Sequence, residues 1–578
     1  MNKKPKVWLF ADWRITACAV LGLLGLLAVA WRLFGLQVLR HDAHAERAHA
    51  EQTRQWVLPA RRGEIFGLER GQLVPLVLNE TVYEVFVDPF MISRNGNQKR
   101  VFEVLNAVPL EPRQDIRKAL DQTTTQYQVI YRNLSRSQAE TLRAENLPGV
   151  GFKATVRRTY PEQGLAAQTL GFVNLDGVGQ YGIEGSLNDR LSGTDGMLRA
   201  VTDVNNVPLT IGRENIRYDA VNGEDLVLTL DPSIQMRAEQ IVAEGATRAG
   251  AAYANILVLC PNTGRIYAMA NYPSFDPGNF GAARPGDFQN PILTDAYEAG
   301  SVIKTLTMAA AIERSAIRPT DTYLNVPTRM IDGWPVNNFV QQHNNETITY
   351  QLAHDLSFNV GTISMLEQMG GGQLGRSGRE TLFDFFHSRF FLGRRIDGFP
   401  LPNTAGIVPQ PSSASNIAYA TMTFGQGMSN TMLQIGAAYA SVINGGYHVT
   451  PQIIAGTRVD GQFRATPEPS RTRVLQESTS RTMRQVLETT RARAFRDWFP
   501  DPVAPFTAGG KTGTAQVPVA GGYHPTWAIG SYIGHAGGER PEFIIMTRVG
   551  GEATFRAADA TWMFNELAPW LADYLQLY

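Results

Sequence analysis

The sequence predicts an α+β protein with a transmembrane helix at its N-terminus. Three observations favour this class. A basic segment and one long apolar run open the chain, short strand-like runs alternating with turns follow, and the remainder has strands first, then many helical segments, then strands and a helix. Strands and helices that are grouped in this way, rather than alternating one by one, are typical of α+β domains.

The apolar run extends from Ile15 to about Leu36 and follows a basic segment that ends at Arg14. About 20 apolar residues span the hydrocarbon core of a bilayer, so the run is long enough for a membrane anchor. A cleaved signal peptide is the alternative, because Ala28-Val29-Ala30 fits the small-x-small pattern of a cleavage site. Since the run continues past Ala30, we favour the anchor and assign residues 1–36 to a cytoplasmic tail and a transmembrane helix.

Residues 37–223 are predicted to form a mixed and elongated domain. Runs such as Val82–Val87 and Tyr127–Tyr131 are strand-like, and one helical stretch, Ser137–Asn146, interrupts them. No pattern of a single large core emerges in this part of the sequence.

Residues 224–578 predict a further domain built around an antiparallel sheet. The predicted elements come in this order: strand Asp225–Asp231, helix Pro232–Ala246, strands Ala254–Cys260 and Arg265–Asn271, helical segments over 301–439, strands Trp527–Gly534 and Glu542–Val549, and helix Ala557–Leu577. The early and late strands have to close into one sheet with helices on its faces.

Composition excludes several classes of function. Lys plus Arg and Asp plus Glu both number 53, so net charge gives no support to a nucleic-acid partner. The two cysteines, Cys18 and Cys260, lie in unrelated segments, which argues against a disulfide and a cysteine metal site. His41, His44 and His49 fit a solvated helix better than a metal site, because they show no fixed ligand geometry. We therefore predict neither a metal nor a cofactor.

Ser301-Val302-Ile303-Lys304 opens an apolar, alanine-rich helical segment. A serine at a helix N-terminus and a lysine one turn later share a face, where a desolvated amine can take the proton of the hydroxyl. Ser357-Phe358-Asn359 follows, with a hydroxyl and an amide that can bridge this lysine and a substrate. Taken alone, S-x-x-K is better explained by simple helix capping, and S-x-N alone carries almost no information.

Lys511-Thr512-Gly513-Thr514 follows Gly509-Gly510 on a predicted strand. A strand with a cation, hydroxyl groups and a glycine can bind a carboxylate and offer its backbone to a peptide. A phosphate-binding loop is excluded, because Pro505 stands where its first glycine is required and no helical run follows. The order S-x-x-K, S-x-N, K-T-G is typical of the penicillin-recognising serine enzymes.

With these motifs the sequence resembles the class B penicillin-binding proteins, which are monofunctional peptidoglycan transpeptidases. The resemblance covers nearly the whole chain and implies a pedestal domain over 37–223 and a transpeptidase domain over 224–578. Other segments that resemble family motifs are Arg62–Ile65, Arg158–Pro161, Gly171–Phe172, Gly182–Glu184, Leu228–Asp231, Phe424–Gly427 and Asn444–Gly446. The sequence departs from the family pattern at Phe66–Gly71, at Ala299 and at Val302.

The resemblance also implies a role for each residue of the first two motifs. Ser301 is expected to be the nucleophile and Lys304 its general base. Ser357 and Asn359 are expected to relay protons and to hold the substrate backbone. Penicillins are expected to acylate Ser301 as mimics of the donor peptide.

For the strand motif, the resemblance implies binding of the terminal carboxylate of a D-Ala-D-Ala stem peptide. Lys511 and Thr512 to Thr514 are the expected binding residues. The backbone N–H groups of Ser301 and Thr514 are expected to form the oxyanion hole.

The expected partners are stem peptides, β-lactams as covalent inhibitors, a polytopic membrane glycosyltransferase of the SEDS type, and other division or elongation proteins. A division-type, FtsI-like enzyme is favoured over an elongation-type enzyme by chain length and by the lack of a further C-terminal module. The expected location is the inner membrane, with one membrane pass and a periplasmic catalytic domain. Two alternatives stay open: a D,D-carboxypeptidase or β-lactamase, in which water takes the acyl group, and a penicillin-binding sensor or scaffold without catalysis.

Overall fold

The computed structural model of the protein describes residues 13–43, 53–201, 216–497, 507–519, 521–552 and 556–577. His44 and His49, two of the three clustered histidines, lie outside the described residues. The chain packs as two compact units, one formed by 1–61 with 193–223 and the other by 62–192 with 224–578. The boundary at residue 223 coincides with the end of the domain predicted over 37–223. Residues 62–192 of that predicted domain, however, lie in the same unit as the C-terminal half of the chain. The predicted domain boundaries stay predictions.

The first unit contains the predicted N-terminal helix, which extends over Trp13–Phe34 and continues as a π-helical turn over Gly35–Leu39. Its most apolar window has a mean hydropathy of 2.1 and is exposed throughout, so by length and composition it can cross a membrane. The same unit contains a three-stranded antiparallel sheet with the order Thr53–Leu58, Gly196–Val201, Ile216–Tyr218.

The second unit contains two large sheets. A seven-stranded sheet has the order Gln462–Ala465, Ile454–Val459, Asp225–Leu228, Ile65–Glu69, Gln72–Val87, Gln128–Leu134, with Val150–Thr159 also paired to Gln72–Val87. It joins strands from both predicted domains, because Asp225–Leu228 pairs with Ile65–Glu69 on one side and with Ile454–Val459 on the other. This pairing explains why 62–192 group with the C-terminal half.

The second large sheet is the one that the sequence predicts, and we call it the central sheet. Its five strands are antiparallel and have the order Ile266–Tyr272, Tyr253–Leu259, Phe543–Glu552, Gly522–Ala536, Ala508–Val519. Alternate side chains of a strand face opposite sides. Ile256 and Val258 accordingly join one apolar core, and Leu257 and Leu259 join the other. The predicted sheet with helices on its faces is confirmed.

Helices cover both faces of the central sheet. Pro232–Ala249 and Ala557–Tyr574 pack on one face, and the helical middle of the chain fills the other. The remaining helices of the second unit are Pro89–Arg94, Gln98–Asn106, Ile116–Leu120, Arg136–Ala144, Ala167–Leu170, Gly182–Ser186, Asn188–Ser192, Pro291–Thr294, Lys304–Glu313, Tyr350–Asp355, Asn359–Met369, Arg376–Phe383, Asn416–Met422, Met432–Ile443 and Glu477–Asp497.

Short elements complete this unit. Four two-stranded sheets pair Phe172–Val173 with Gly179–Gln180, Thr322–Asn325 with Glu346–Thr349, Thr328–Ile331 with Trp334–Asn337, and Tyr447–Val449 with Arg471–Arg473. Tighter or wider turns lie at Pro277–Ala282, Pro285–Phe288, Gly300–Ile303 and Asp384–Arg389. The helical middle predicted over 301–439 therefore also contains short strands.

Three family-like motifs of the N-terminal half meet in one buried ion cluster. Glu184, whose side chain is fully buried, accepts hydrogen bonds from Arg62 Nε at 2.8 Å and from Arg158 Nε at 2.8 Å. Arg158 Nη1 donates further to Asn79 Oδ1 at 2.8 Å, and Arg62 Nη1 donates to Asn188 Oδ1 at 3.0 Å. Because Glu184 lies between both arginines, this cluster joins segments that are more than a hundred residues apart in sequence.

Candidate active site

Ser301 lies in a tight turn that leads into a helix. The turn, Gly300–Ile303, is a 3₁₀ helix, and the α-helix Lys304–Glu313 continues from it. In a 3₁₀ helix, residues three apart lie on the same side. Ser301 and Lys304 therefore share a face, as the sequence predicts, although Ser301 precedes the α-helix instead of opening it.

Ser357 occupies a strained position between two helices. It follows the helix Tyr350–Asp355 with φ +58°, in the left-handed region that costs a non-glycine residue about 1–2 kcal/mol. Its N–H donates to the carbonyl oxygen of His354 at 3.2 Å, and the N–H of Phe358 donates to that of Ala353 at 2.9 Å. Backbone hydrogen bonds thus close the end of the helix. The left-handed backbone of Ser357 is a form of strain that is typical of functional sites.

The hydroxyl of Ser357 lies between two buried lysines. Lys304 Nζ is 3.2 Å from Ser357 Oγ, and Lys511 Nζ is 3.0 Å from the same atom. Lys304 Nζ also donates to the carbonyl oxygen of Ser357 at 2.5 Å and to Asn359 Oδ1 at 2.7 Å. Lys511 Nζ also donates to the carbonyl oxygen of Thr512 at 3.1 Å. Residues of all three sequence motifs therefore meet in one hydrogen-bonded cluster.

The amide of Asn359 is largely engaged within the protein. Its Oδ1 accepts the hydrogen bond of Lys304, and its Nδ2 donates to the carbonyl oxygen of Asn337 at 2.9 Å. Among the described residues, no hydrogen bond joins Lys304 to Ser301. A proton that leaves Ser301 for the amine therefore requires a small movement, or a path through Ser357.

Burial lowers the pKa of both lysines. Lys304 is 0% exposed, and its pKa falls well below the ordinary value because the amine is desolvated and because the charge of Lys511 is close. Burial lowers the pKa of Lys511 to about 7, and the charge of Asp355 opposes that shift. Lys304 therefore gives up its proton more readily than an ordinary lysine does.

Three glycines let backbones approach at the nucleophile turn. A Cβ on Gly300, whose φ is +61°, would lie 2.4 Å from the carbonyl oxygen of Thr514. A Cβ on Gly513 would lie 2.7 Å from the carbonyl oxygen of Ala299, and one on Gly425 would lie 2.3 Å from that of Gly300. Because no side chain fits at these contacts, the turn that carries Ser301 packs closely against the strand that carries Thr514.

The motif strand Ala508–Val519 is an edge strand of the central sheet, paired on one side to Gly522–Ala536. Lys511 and Gly513 are buried, whereas Thr512 and Thr514 are partly exposed. An edge strand presents alternate N–H and C=O groups to an extended peptide. The predicted strand context of this motif is confirmed.

Glu298 stands three residues before Ser301 and opens the segment Glu298–Lys304, which resembles a catalytic landmark of the family, but the resemblance gives Glu298 no individual role. Its carboxylate accepts a hydrogen bond from the N–H of Gly427 at 2.9 Å and from the hydroxyl of Tyr523 at 3.1 Å. Burial raises the pKa of Glu298. Glu298 thus connects the nucleophile turn to two distant segments, and no local sequence signal marks these contacts.

Comparisons with known proteins identify the family of the chain. Residues 254–568 match the family model described as the penicillin-binding protein transpeptidase domain, and residues 57–228 match the penicillin-binding protein dimerisation domain. The first match covers more than half of the chain. The chain therefore belongs to the penicillin-binding protein transpeptidase family, in its class B form, which carries both domains.

Two relatives and one solved structure are among the similar proteins. Penicillin-binding protein PbpB of Mycolicibacterium smegmatis is 32% identical over 74% of this chain. The match spans 66% of the length of that relative, just under two thirds. The probable peptidoglycan D,D-transpeptidase PenA of Neisseria gonorrhoeae is 28% identical over 89% of this chain and 84% of its own. Penicillin-binding protein 3 of Mycobacterium tuberculosis, in complex with aztreonam, is 25% identical, with a TM-score of 0.67 over 90% of this chain and 97% of its own. The predicted family and fold are confirmed, while the roles of the site residues stay predictions.

Proposed function

We propose that the protein is a peptidoglycan D,D-transpeptidase that works through an acyl-enzyme on Ser301. The observation that carries the proposal is the cluster in which Ser357 Oγ bridges the amines of Lys304 and Lys511, at 3.2 and 3.0 Å. A buried amine with a lowered pKa can accept a proton, and a second amine can bind a carboxylate. The name of the Neisseria relative describes the same reaction.

In the first step, Ser301 Oγ attacks the carbonyl carbon between the two D-Ala residues of a donor stem peptide. Its proton goes to Lys304, either directly or through Ser357, and the oxyanion accepts hydrogen bonds from the N–H groups of Ser301 and Thr514. The C–N bond then breaks, the leaving D-Ala amine takes that proton, and an ester on Ser301 remains.

In the second step, an amine of a neighbouring stem peptide attacks the ester. Lys304 accepts the proton of the attacking amine and returns it to Ser301 Oγ as the ester bond breaks. The products are a peptide cross-link and free enzyme, so atoms and protons balance over the cycle.

Substrate binding uses the edge of the central sheet. The donor peptide adds as a strand along Ala508–Val519, and its terminal carboxylate meets Lys511 and the hydroxyl groups of Thr512 and Thr514. The strand supports this arrangement, because Thr512 and Thr514 are partly exposed and Lys511 Nζ lies 3.5 Å from Thr512 Oγ1.

The setting of the reaction is part of the same proposal. The helix Trp13–Phe34 would anchor the protein in the cytoplasmic membrane by a single pass, with the catalytic unit in the periplasm. A polytopic SEDS-type glycosyltransferase would supply the glycan strand, and a division role is favoured over an elongation role. A curated relative named peptidoglycan D,D-transpeptidase FtsI, 26% identical over 76% of this chain, supports that preference.

Covalent labelling with a fluorescent penicillin tests the proposal. The wild type is expected to label stably at Ser301, and Ser301→Ala is expected to lose the label. Ser412→Ala, which removes an exposed serine, is the matched control and should label like the wild type. A folded wild type that does not label would overturn the acyl-enzyme.

A second measurement separates transpeptidation from hydrolysis. The acyl-enzyme made with a stem-peptide donor is offered an acceptor amine, and the products are weighed by mass spectrometry. A cross-linked product is expected. Release of the hydrolysed donor alone would assign the site to a carboxypeptidase or a β-lactamase.

A further inference from the structure

The helix that begins at Asn359 is capped by a residue of another segment. Phe358 precedes this helix, and its side chain cannot accept a hydrogen bond. The first N–H groups of a helix have no partner within the helix. Asn338, 22 residues before Val360, supplies one acceptor, because its Oδ1 accepts the N–H of Val360 at 3.0 Å. The loop that contains Asn338 is thereby joined to the helix one residue after Asn359.

Asn338 is buried and hydrogen-bonded on every side. It is 2% exposed, and its Nδ2 donates to Asn325 Oδ1 at 3.0 Å and to the carbonyl oxygen of Val326 at 3.2 Å. Its backbone N–H donates to the carbonyl oxygen of Pro327 at 3.0 Å. Asn325, 0% exposed, donates from Nδ2 to the carbonyl oxygen of His343 at 3.0 Å. Because this chain runs from a backbone N–H to a backbone carbonyl, neither amide can be reversed.

The same loop fixes the orientation of the Asn359 amide. The carbonyl oxygen of Asn337, which precedes Asn338, accepts a hydrogen bond from Asn359 Nδ2 at 2.9 Å. A carbonyl oxygen can only accept, so this contact identifies the nitrogen end of the amide. The oxygen end, Asn359 Oδ1, then lies 2.7 Å from Lys304 Nζ.

This orientation decides where the lone pair of a free Lys304 amine points. A free amine has two N–H groups and one lone pair. The carbonyl oxygen of Ser357, at 2.5 Å, and Asn359 Oδ1, at 2.7 Å, can only accept, so they take both N–H groups. The lone pair then faces Ser357 Oγ at 3.2 Å, whose hydroxyl can donate. A reversed Asn359 amide would direct an N–H group at the lone pair and occupy the base.

We propose that Asn338 is a positioning residue, which keeps the oxygen of the Asn359 amide on Lys304 and so leaves the lone pair of the base free for a serine hydroxyl. This inference rests on the proposed function and adds a residue to its base. Asn338 acts through Asn359 and not on the substrate. The hairpin before Asn338 has a separate tie to the same helix, since Arg329 Nη1 donates to Glu367 Oε2 at 2.6 Å. Substitution of Asn338 should therefore release the amide without releasing the hairpin.

A double-mutant cycle tests the inference. The second-order rate of penicillin acylation is measured at pH 8 for the wild type, Asn338→Asp, Asn359→Ala and the double variant. Asn338→Asp keeps the shape of the side chain and the acceptor for Val360, but an ionised carboxylate cannot donate to Asn325 or Val326. It should react about tenfold more slowly than the wild type. Asn359→Ala has no amide to orient, so adding Asn338→Asp to it should change the rate by less than about twofold.

Non-covalent binding separates the chemical step from recognition. The same penicillin is bound to Ser301→Ala with and without Asn338→Asp, and equal affinities are expected because the loss lies in the acylation step. Asn338→Ala introduces no buried charge, and it takes the place of Asn338→Asp if that variant does not fold. Asn279→Asp makes the same change at an exposed asparagine of the same unit and should follow the wild type.

Three results would overturn the inference. The first is a folded Asn338 variant that acylates like the wild type. The second is a tenfold loss that recurs in full when Asn338→Asp is added to Asn359→Ala, which would indicate a merely structural residue. The third is a loss of binding that accounts for the whole loss of rate. Failure of the proposed function would appear as a wild type that takes no label, which is a different result from all three.

Discussion

Two buried clusters in this protein each contain a pair of cationic side chains, and the clusters differ in the group that lies between the two cations. In the N-terminal half, Glu184 lies between Arg62 and Arg158 and accepts hydrogen bonds from both. In the active site, a neutral hydroxyl, that of Ser357, lies between Lys304 and Lys511. The cations of both clusters are largely buried, so the difference lies in the group between the cations and in the cations themselves.

The comparison separates a structural use of buried charge from a chemical one. Arginine stays protonated in proteins, and a carboxylate between two arginines balances their charge without changing any protonation state. Lysine can lose its proton when it is buried, and without a carboxylate between them the two amines repel each other's charge. The first cluster therefore joins distant segments, whereas the second would generate a base on the proposed chemistry.

Removal of Lys304 should have the largest effect. Lys304→Ala deletes the base, so the second-order rate of penicillin acylation should fall about a thousandfold, within the range known for general bases. Lys304→Arg should not restore the rate, because a guanidinium keeps its proton. Lys153→Ala, at an exposed lysine, is the control. A Lys304→Ala protein within tenfold of the wild type would show that another group is the base.

Removal of the carboxylate from the other cluster should affect stability instead of chemistry. Glu184→Gln leaves two buried arginines without their counter-charge, which should cost about 3–5 kcal/mol in the free energy of unfolding. The exposed pair of Glu140 with Arg136 supplies the control, since Glu140→Gln should cost less than about 1 kcal/mol. Urea unfolding measures the free energy of unfolding of both variants. Equal losses would show that the buried carboxylate contributes no more to stability than the exposed one does.

The pH dependence of stability should distinguish the clusters further. Burial lowers the pKa of Lys511 from 10.5 to about 7, so between these values the unfolded chain binds a proton that the folded chain does not. Stability contributed by this group therefore rises with pH, by about 1.4 kcal/mol per unit above pH 7. Lys511→Met should remove that slope between pH 7 and 9, and Lys153→Met should not. Equal slopes in the wild type and Lys511→Met would argue against a folded Lys511 with a lowered pKa.

The smallest expected effect concerns the backbone of Ser357. Both Ser357→Ala and Ser357→Gly lose the bridging hydroxyl and should lose acylation to a similar extent. Glycine adopts φ +58° freely, so Ser357→Gly should be more stable than Ser357→Ala by about 1 kcal/mol. Thermal unfolding of the two variants measures the difference, and equal stabilities would mean that the position is not strained.

Much of the active site could be predicted from the sequence, because its motifs are short and each lies on one element. Ser301 and Lys304 are three residues apart, and Lys511 to Thr514 lie on one strand, so local geometry was enough. The antiparallel central sheet followed from the grouping of strands. These predictions needed no knowledge of how distant segments pack.

Contacts between distant segments could not be predicted in this way. Asn338 lies 22 residues from Val360, and Tyr523 lies 225 residues from Glu298. A lone asparagine in a loop carries no pattern that names its partner. The pairing of Asp225–Leu228 with Ile65–Glu69, which brings 62–192 onto the C-terminal half, is equally invisible because short strands do not encode their neighbours.

The glycine contacts around the nucleophile turn restrict how this protein can evolve under antibiotic pressure. At Gly300, Gly425 and Gly513, any side chain would collide with backbone atoms that the turn cannot move away. On the proposed chemistry, the drug and the natural peptide depend on the same backbone contacts, so a substitution there would disable both at once. Tolerated changes that lower drug affinity are therefore expected among the partly exposed side chains around the cleft. At the three glycines, a substitution that removed drug binding would remove the activity as well.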